Sequence, residues 1–154
     1  MSNTKLESRM KNPAVIVPDA LKTLMTLGAT VQNGTVPTRT LELVNLRASQ
    51  MNGCSVCIDM HSKALSKEGE TNTRLFNVAA WRDAPFFTDA ERAALWLTEE
   101  VTHLNPHDPV PDAVWNEAKR HYDEQALATL LLNIAMINFW NRTNVPTRQV
   151  AGLL

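Results

Sequence analysis

The 154-residue sequence has only two cysteines, Cys54 and Cys57, three positions apart. No second pair exists to complete a four-cysteine zinc site or a disulfide framework. Lysine and arginine never form a run longer than a pair, and the formal net charge is -1. Phosphate backbones are bound by clustered cations, so this pattern argues against nucleic acid as a main partner. The polar first residues hold no apolar stretch of the kind found in secretory signals. The longest apolar-rich segment, 127–140, is too short to cross a bilayer and carries Asn133 and Asn138. The expectation is a soluble, cytoplasmic protein with no membrane partner. In a reducing compartment, a lone Cys-x-x-Cys pair is more often redox-active or metal-binding than structural.

What is present is ordinary for a globular chain: 44% hydrophobic and 20% charged residues. Almost every segment has the pattern of a helix. Pro18 and Asp19 open one that Asn33 and Gly34 stop. A second covers about 37–51, with Leu41, Val44, Ala48 and Met51 as its apolar stripe. Asn52 and Gly53 break it, and a third runs from about Cys54 to Gly69. A fourth covers about 73–81. Thr88 and Glu91 form a capping-box signature for a helix ending near His103. Pro111 and Asp112 start another, ending near Tyr122. The last, about 124–142, is apolar on most sides, which marks a central helix or an interface helix. No segment sustains period-two alternation. The expected fold class is all-α, with a polar segment at 1–12 and a single domain at 13–154.

The segment 42–61 carries the chemistry. Cys54, Cys57 and His61 fall on one face of the third helix. Their i, i+3 spacing suits a disulfide, which needs Cα atoms within about 7 Å. A helix start favours an anion, which lowers a thiol pKa and raises the thiolate fraction. If the second and third helices form an antiparallel hairpin about Gly53, Glu42 and His61 both lie ~12–15 Å from the turn and face each other. The resulting relay runs from Glu42 to His61 to Cys57: the carboxylate orients the imidazole, and the imidazole accepts the thiol proton. Cys57 is then the peroxide-reactive thiol. Cys54, expected to be the more exposed, is the resolving thiol at which an external dithiol enters. Two alternatives stand beside this reading. Cys54, Cys57 and His61 supply three zinc ligands, with Glu42 or a distant histidine as the fourth, giving a zinc-stabilised, non-enzymatic oligomer. The same dithiol also suits a thiol–disulfide oxidoreductase or redox sensor acting on a protein partner.

With these four residues laid out, the segment resembles the alkylhydroperoxidase D (AhpD) family, within the carboxymuconolactone decarboxylase superfamily. The match takes in the spacing of Glu42, Cys54, Cys57 and His61, with Ser49, Asn52 and Gly53 between them. Beyond the site, Trp81-Arg82-Asp83-Ala84-Pro85-Phe86 and Ile137-Asn138-Phe139-Trp140-Asn141-Arg142 are similar to the peroxidase-related branch. The resemblance implies an AhpD-like helical fold and a homo-oligomer, trimeric or hexameric. It implies cofactor-free and metal-free reduction of hydroperoxides through the cysteine pair, with Glu42, Cys54, Cys57 and His61 as catalytic residues. It also implies an external dithiol reductant, of lipoyl type in some members. Those members carry histidine immediately before the second cysteine, and many relatives carry tyrosine. Here the position is Val56, whose side chain neither shuttles protons nor hydrogen-bonds.

The remaining polar and aromatic residues are read as structural. His103, His107 and His121 suit the surface or helix C-termini. Trp81, Trp96, Trp115 and Trp140 suit core or interface anchors. Asn141 and Arg142 are expected to cap the last helix or pair across an interface. Ser49 falls on the Glu42 face of its helix.

Overall fold

Eight α-helices and no strand are found among residues 5–152, which the structure, a computed structural model, describes. They are α1 (Pro13–Ile16), α2 (Ala20–Gln32), α3 (Thr38–Asn52), α4 (Ser55–Lys67), α5 (Asn72–Asn77), α6 (Asp89–His103), α7 (Asp112–His121) and α8 (Glu124–Asn144). The all-α expectation holds, and most boundaries follow from local chemistry. Thr88 and Glu91 form the capping box that starts α6, each satisfying a free backbone N–H. Asp123 caps α8 by accepting from the Ala126 N–H at 2.8 Å.

Three boundaries differ from the sequence reading. Asp19 makes no side-chain cap; it stands at φ 61 ahead of α2. The expected helix at 73–81 ends at Asn77, and a 3₁₀ turn, Val78–Ala80, leads into Trp81. α8 continues past Arg142 to Asn144, which brings a further polar side chain to the protein interior.

The central helix is α3, which packs against α4, α6 and α8. α8 buries Leu127, Leu130, Ile134 and Ile137 but leaves Leu132 and Phe139 exposed, so it covers one side of α3. Leu41, Val44, Leu97, Leu130 and Ile134 form the main core between α3, α6 and α8. Leu43, Leu46, Leu65, Val78, Trp81 and Leu95 form a second cluster on the α4 side. A third and smaller one surrounds the cysteines: Ala48, Val56 and Ile137 beside Cys54 and Cys57, with Trp140 packed against it.

α3 carries polar residues into this interior, and Glu42, Asn45, Arg47 and Ser49 each have a partner on another helix. The most connected is Arg47, whose Nε donates to Glu99 Oε1 on α6 at 2.6 Å. Trp81 Nε1 donates to the same oxygen at 2.8 Å, and Arg82 donates to Glu99 Oε2. Burial pushes the Glu99 carboxyl up. The hydrogen bonds from Trp81, Arg82 and Arg47, together with the Arg47 charge, more than offset that, so its pKa lies below the usual glutamate value.

A carboxyl with a depressed folded pKa takes up its proton more readily in the unfolded chain. Its stabilisation is therefore complete above the unfolded value, near 4.5, and is lost as pH falls through the lower folded value. We expect Glu99→Gln to lower the unfolding free energy by about 2 kcal/mol at pH 7. In urea titrations the gap between wild type and variant should shrink below pH 4.5. A gap independent of pH would mean that the carboxylate charge is not what ties α3, α6 and the Trp81 turn together.

Candidate active site

The turn between α3 and α4 is built by Gly53, at φ 67 and ψ 31. Its N–H donates to the Gln50 carbonyl and the Cys54 N–H to the Ser49 carbonyl, at 3.3 and 3.0 Å. This is the Schellman closure, in which a left-handed residue satisfies the last carbonyls of a helix. Asn52 pins the turn to α8 by donating to Asn138 Oδ1 and Asn141 Oδ1, both at 2.9 Å. The reversal produces the antiparallel hairpin expected from the sequence, with Cys54 at the N-cap of α4 and Cys57 in its first turn.

The hairpin brings Glu42 and His61 together. Glu42 Oε2 lies 2.7 Å from His61 Nδ1, both groups being largely buried. A carboxylate has no proton to give, so Nδ1 is the donor and the neutral ring keeps its lone pair on Nε2. That is the tautomer a general base requires. Cys57 is one helical turn before His61 on α4. Among the described residues no hydrogen bond joins His61 to either sulfur. The group that reaches Cys57 is Asn144, whose Nδ2 donates to Sγ at 3.3 Å.

Cys54 and Cys57 form a disulfide pair with Cα atoms 5.4 Å apart. The expectation of an exposed Cys54 is corrected: Cys54 is 1% exposed and Cys57 3%. Cys54 packs in a cluster with Ala48, Val56, Cys57 and Ile137, and residues distant in sequence approach it as well. Residues 5–7 and 148–151 line a cleft of about 660 Å³ together with Gly53, Cys54, Ser55 and Asn144, so both ends of the chain wall the approach to Cys54. The ends are tied to each other: the Arg9 N–H donates to the Thr147 carbonyl at 2.9 Å, and Gln149 Nε2 to the Met10 carbonyl at 2.9 Å.

Other expectations resolve as follows. Asn141 does not cap α8; it is buried and donates to Ser49 Oγ at 3.1 Å. Arg142 donates to Asn138 Oδ1 on its own helix. Ser49 is fully buried and also donates to the Asn45 carbonyl at 2.7 Å, so it serves the α3–α8 contact rather than Glu42. Trp81 is buried and the other three tryptophans are half-buried. His103 and His107 are exposed. Among the described residues, no group of three or more histidine, cysteine, aspartate and glutamate side chains is arranged to hold a metal ion. Asn144 and its partner Asn12 were missed. The available signal was the spacing of Asn138, Asn141 and Asn144, one face of an otherwise apolar helix, which requires buried polar partners.

The profile of the carboxymuconolactone decarboxylase family matches residues 18–100. An uncharacterized protein of Bacillus subtilis, YdfG, is 39% identical over 130 residues, covering 84% of this chain and 88% of that one. A crystal structure of an Agrobacterium tumefaciens protein of unknown function, a candidate antioxidant defence protein AhpD, superposes with a TM-score of 0.88 at 31% identity. The overlap covers 96% of this chain and all 100% of that one. The debrominase Bmp8 shares the fold alone, with a TM-score of 0.75 at 21% identity over 88% of this chain and 73% of that one.

A Cβ added at Gly53 would meet no atom within 4 Å, so a substitution there tests the backbone conformation alone. Gly53→Ala should cost about 1 kcal/mol in urea unfolding, from the left-handed φ. An unchanged midpoint would show that the turn relaxes freely and does not hold the hairpin.

Proposed function

We propose, for a chain that belongs to the carboxymuconolactone decarboxylase family and has an AhpD-like fold, that it reduces alkyl hydroperoxides through a Cys54/Cys57 dithiol–disulfide cycle. The observation that carries the reading is the Glu42–His61 contact behind a cysteine pair at disulfide distance. In the reduced protein, His61 Nε2 takes the Cys57 thiol proton while Glu42 stabilises the imidazolium. The Cys57 thiolate attacks the terminal oxygen of the hydroperoxide. The O–O bond breaks, Cys57 becomes a sulfenic acid, and the departing alkoxide takes the proton from His61. The Cys54 thiol then attacks the Cys57 sulfur, forming the disulfide and releasing water. An external dithiol, of lipoyl or similar type, returns both sulfurs to thiols by exchange, becoming a disulfide itself. Its entry at Cys54 is through the cleft between the chain ends. No cofactor or metal takes part.

A second reading keeps the same dithiol but gives it a protein disulfide as substrate. Val56 favours it: the side chain is 1% exposed and presents no proton-carrying group at the site. The proposal also includes a homo-oligomer, a trimer or hexamer. It is supported by exposed apolar side chains on two helices that pack together, Leu21 and Met25 on α2 and Leu132 and Phe139 on α8.

With dithiothreitol or dihydrolipoamide as reductant, cumene hydroperoxide should be turned over well above the enzyme-free rate. Peroxide should leave a trappable sulfenate in Cys54→Ser and none in Cys57→Ser. Glu42→Gln should slow single-turnover oxidation roughly 100-fold. Turnover at background with both dithiols would sink the peroxidase reading, and a mixed disulfide trapped with a protein partner would then decide for the second. Light scattering should give a mass well above 17.2 kDa, reduced by Leu132→Glu. A wild-type monomer at every concentration would rule the oligomer out.

A further inference from the structure

Asn144, the last residue of α8, is 7% exposed, and its side chain sits between two others. Its Nδ2 donates to Cys57 Sγ at 3.3 Å, and its Oδ1 accepts from Asn12 Nδ2 at 2.6 Å. The amide orientations follow from a fixed starting point. The Ala14 backbone N–H can only donate, and it donates to Asn12 Oδ1 at 2.9 Å. Asn12 therefore turns its NH₂ toward Asn144, and Asn144 must offer its oxygen there. Its own NH₂ is left facing the sulfur. The network assigns both amides without reference to the cysteine.

A neutral N–H donor interacts weakly with a disulfide sulfur or a thiol. With a thiolate the hydrogen bond is charge-assisted and roughly twice as strong. The Asn144 bond therefore favours one of the three states of Cys57 over the other two. We propose that Asn144 is a positioning residue that stabilises the Cys57 thiolate, aimed by Asn12 from the N-terminal segment. This rests on the reading of Cys54 and Cys57 as a redox dithiol.

The charged groups around Cys57 divide by side. His61 stands on its own helix, with Glu42 behind it from α3. Lys5, Glu7 and Arg148 line the cleft on the Cys54 side. α5 meets α4 through the apolar cluster of Leu65 and Leu75, away from the sulfurs. From the end of α8 comes the Asn144 amide. His61 can move a proton, whereas Asn144 can only stabilise what is left after the proton has gone. The two roles are separable by experiment.

The test uses the full chain. In a Cys54→Ser background Cys57 is the sole thiol, and the pH dependence of its alkylation by iodoacetamide gives its pKa. Asn144→Ala should raise that pKa by about one unit, which is tenfold less thiolate at pH values below it. With both cysteines present and the pH held above the thiol pKa of both proteins, where the reduced form carries the thiolate, equilibration against dithiothreitol redox buffers should show the dithiol–disulfide equilibrium moved about tenfold toward disulfide. That corresponds to a potential ~30 mV more negative. Asn12→Ala, which keeps Asn144 but frees its amide to turn, should move both quantities the same way by a smaller amount. An unchanged alkylation pKa in a folded Asn144→Ala protein overturns the proposal, since the N–H donor to Sγ is then gone without effect on the thiolate. If that variant does not fold, Asn12→Ala decides: a rise supports the proposal and an unchanged pKa overturns it. Neither readout needs peroxide. A protein inert toward hydroperoxides but with a shifted thiol pKa would refute the peroxidase reading and leave this inference standing.

Discussion

The structure depends on keeping a polar helix at its centre. α3 is buried from Thr40 to Leu46 and again at Ala48 and Ser49, yet Glu42, Asn45, Arg47 and Ser49 all lie in that stretch. Leaving such groups unpaired costs about 1–3 kcal/mol each, and more for a charge. Each is instead paired with a residue of another helix. Glu42 holds His61 on α4, Asn45 accepts from Asn133 on α8 at 2.8 Å, Arg47 holds Glu99 on α6, and Ser49 accepts from Asn141 on α8. Apolar packing would tolerate small rotations of α3 about its axis. Four directional contacts to three helices do not, because any rotation breaks several at once. The contact with chemical potential, Glu42 to His61, is thus one of the contacts that fix the helix.

The same constraint places the sulfurs. With the α3 register fixed, the chain must reverse at Gly53, and Asn52 locks that reversal to Asn138 and Asn141. Cys54 then falls at the N-cap of α4 and Cys57 in its first turn, where unpaired N–H groups and the helix dipole favour negative charge. The cluster of Ala48, Val56, Ile137 and Trp140 around them works against ionisation, since an apolar surround raises a thiol pKa. A thiolate in this setting needs local donors to offset the apolar surround. The helix terminus is one such source, and an amide aimed at Sγ is another.

Much of this was legible in the sequence because it is local. The capping box at Thr88 and Glu91, the break at Asn52 and Gly53, and the i, i+3, i+7 placement of Cys54, Cys57 and His61 need only helix geometry. Opposing Glu42 to His61 needed one further step, the antiparallel reversal. What was not legible is non-local. α3 has a polar composition and α8 an apolar one, so patterning nominates α8 as the central helix. The partners that allow α3 to be buried are scattered from His61 to Asn141. Exposure of Cys54 was misjudged for the same reason, because helix position alone says nothing about chain segments that return from far along the sequence. Asn141 was read as a cap because it stands near a helix end. The helix runs one turn further, and that turn delivers Asn144 to Cys57.

The use of asparagine along this seam has a physical logic of its own. Asn45, Asn52, Asn133, Asn138, Asn141 and Asn144 link α3, its turn and α8 by side-chain amides, each able to donate and accept at once. Charged residues could form comparable links, but each would carry a large desolvation cost and a field felt at the sulfurs. Neutral amides carry the connection from Leu41 to Cys57, with the Arg142 guanidinium joining it at Asn138. Glu42, His61 and the α4 terminus are the groups of opposite character on the hairpin side of the thiols. The exception is the end of the seam, where Asn144 turns from joining helices to meeting a sulfur. There the amide is held by Asn12, outside the α3–α8 contact, so the hydrogen bond to Cys57 is anchored by the N-terminal segment rather than by the core.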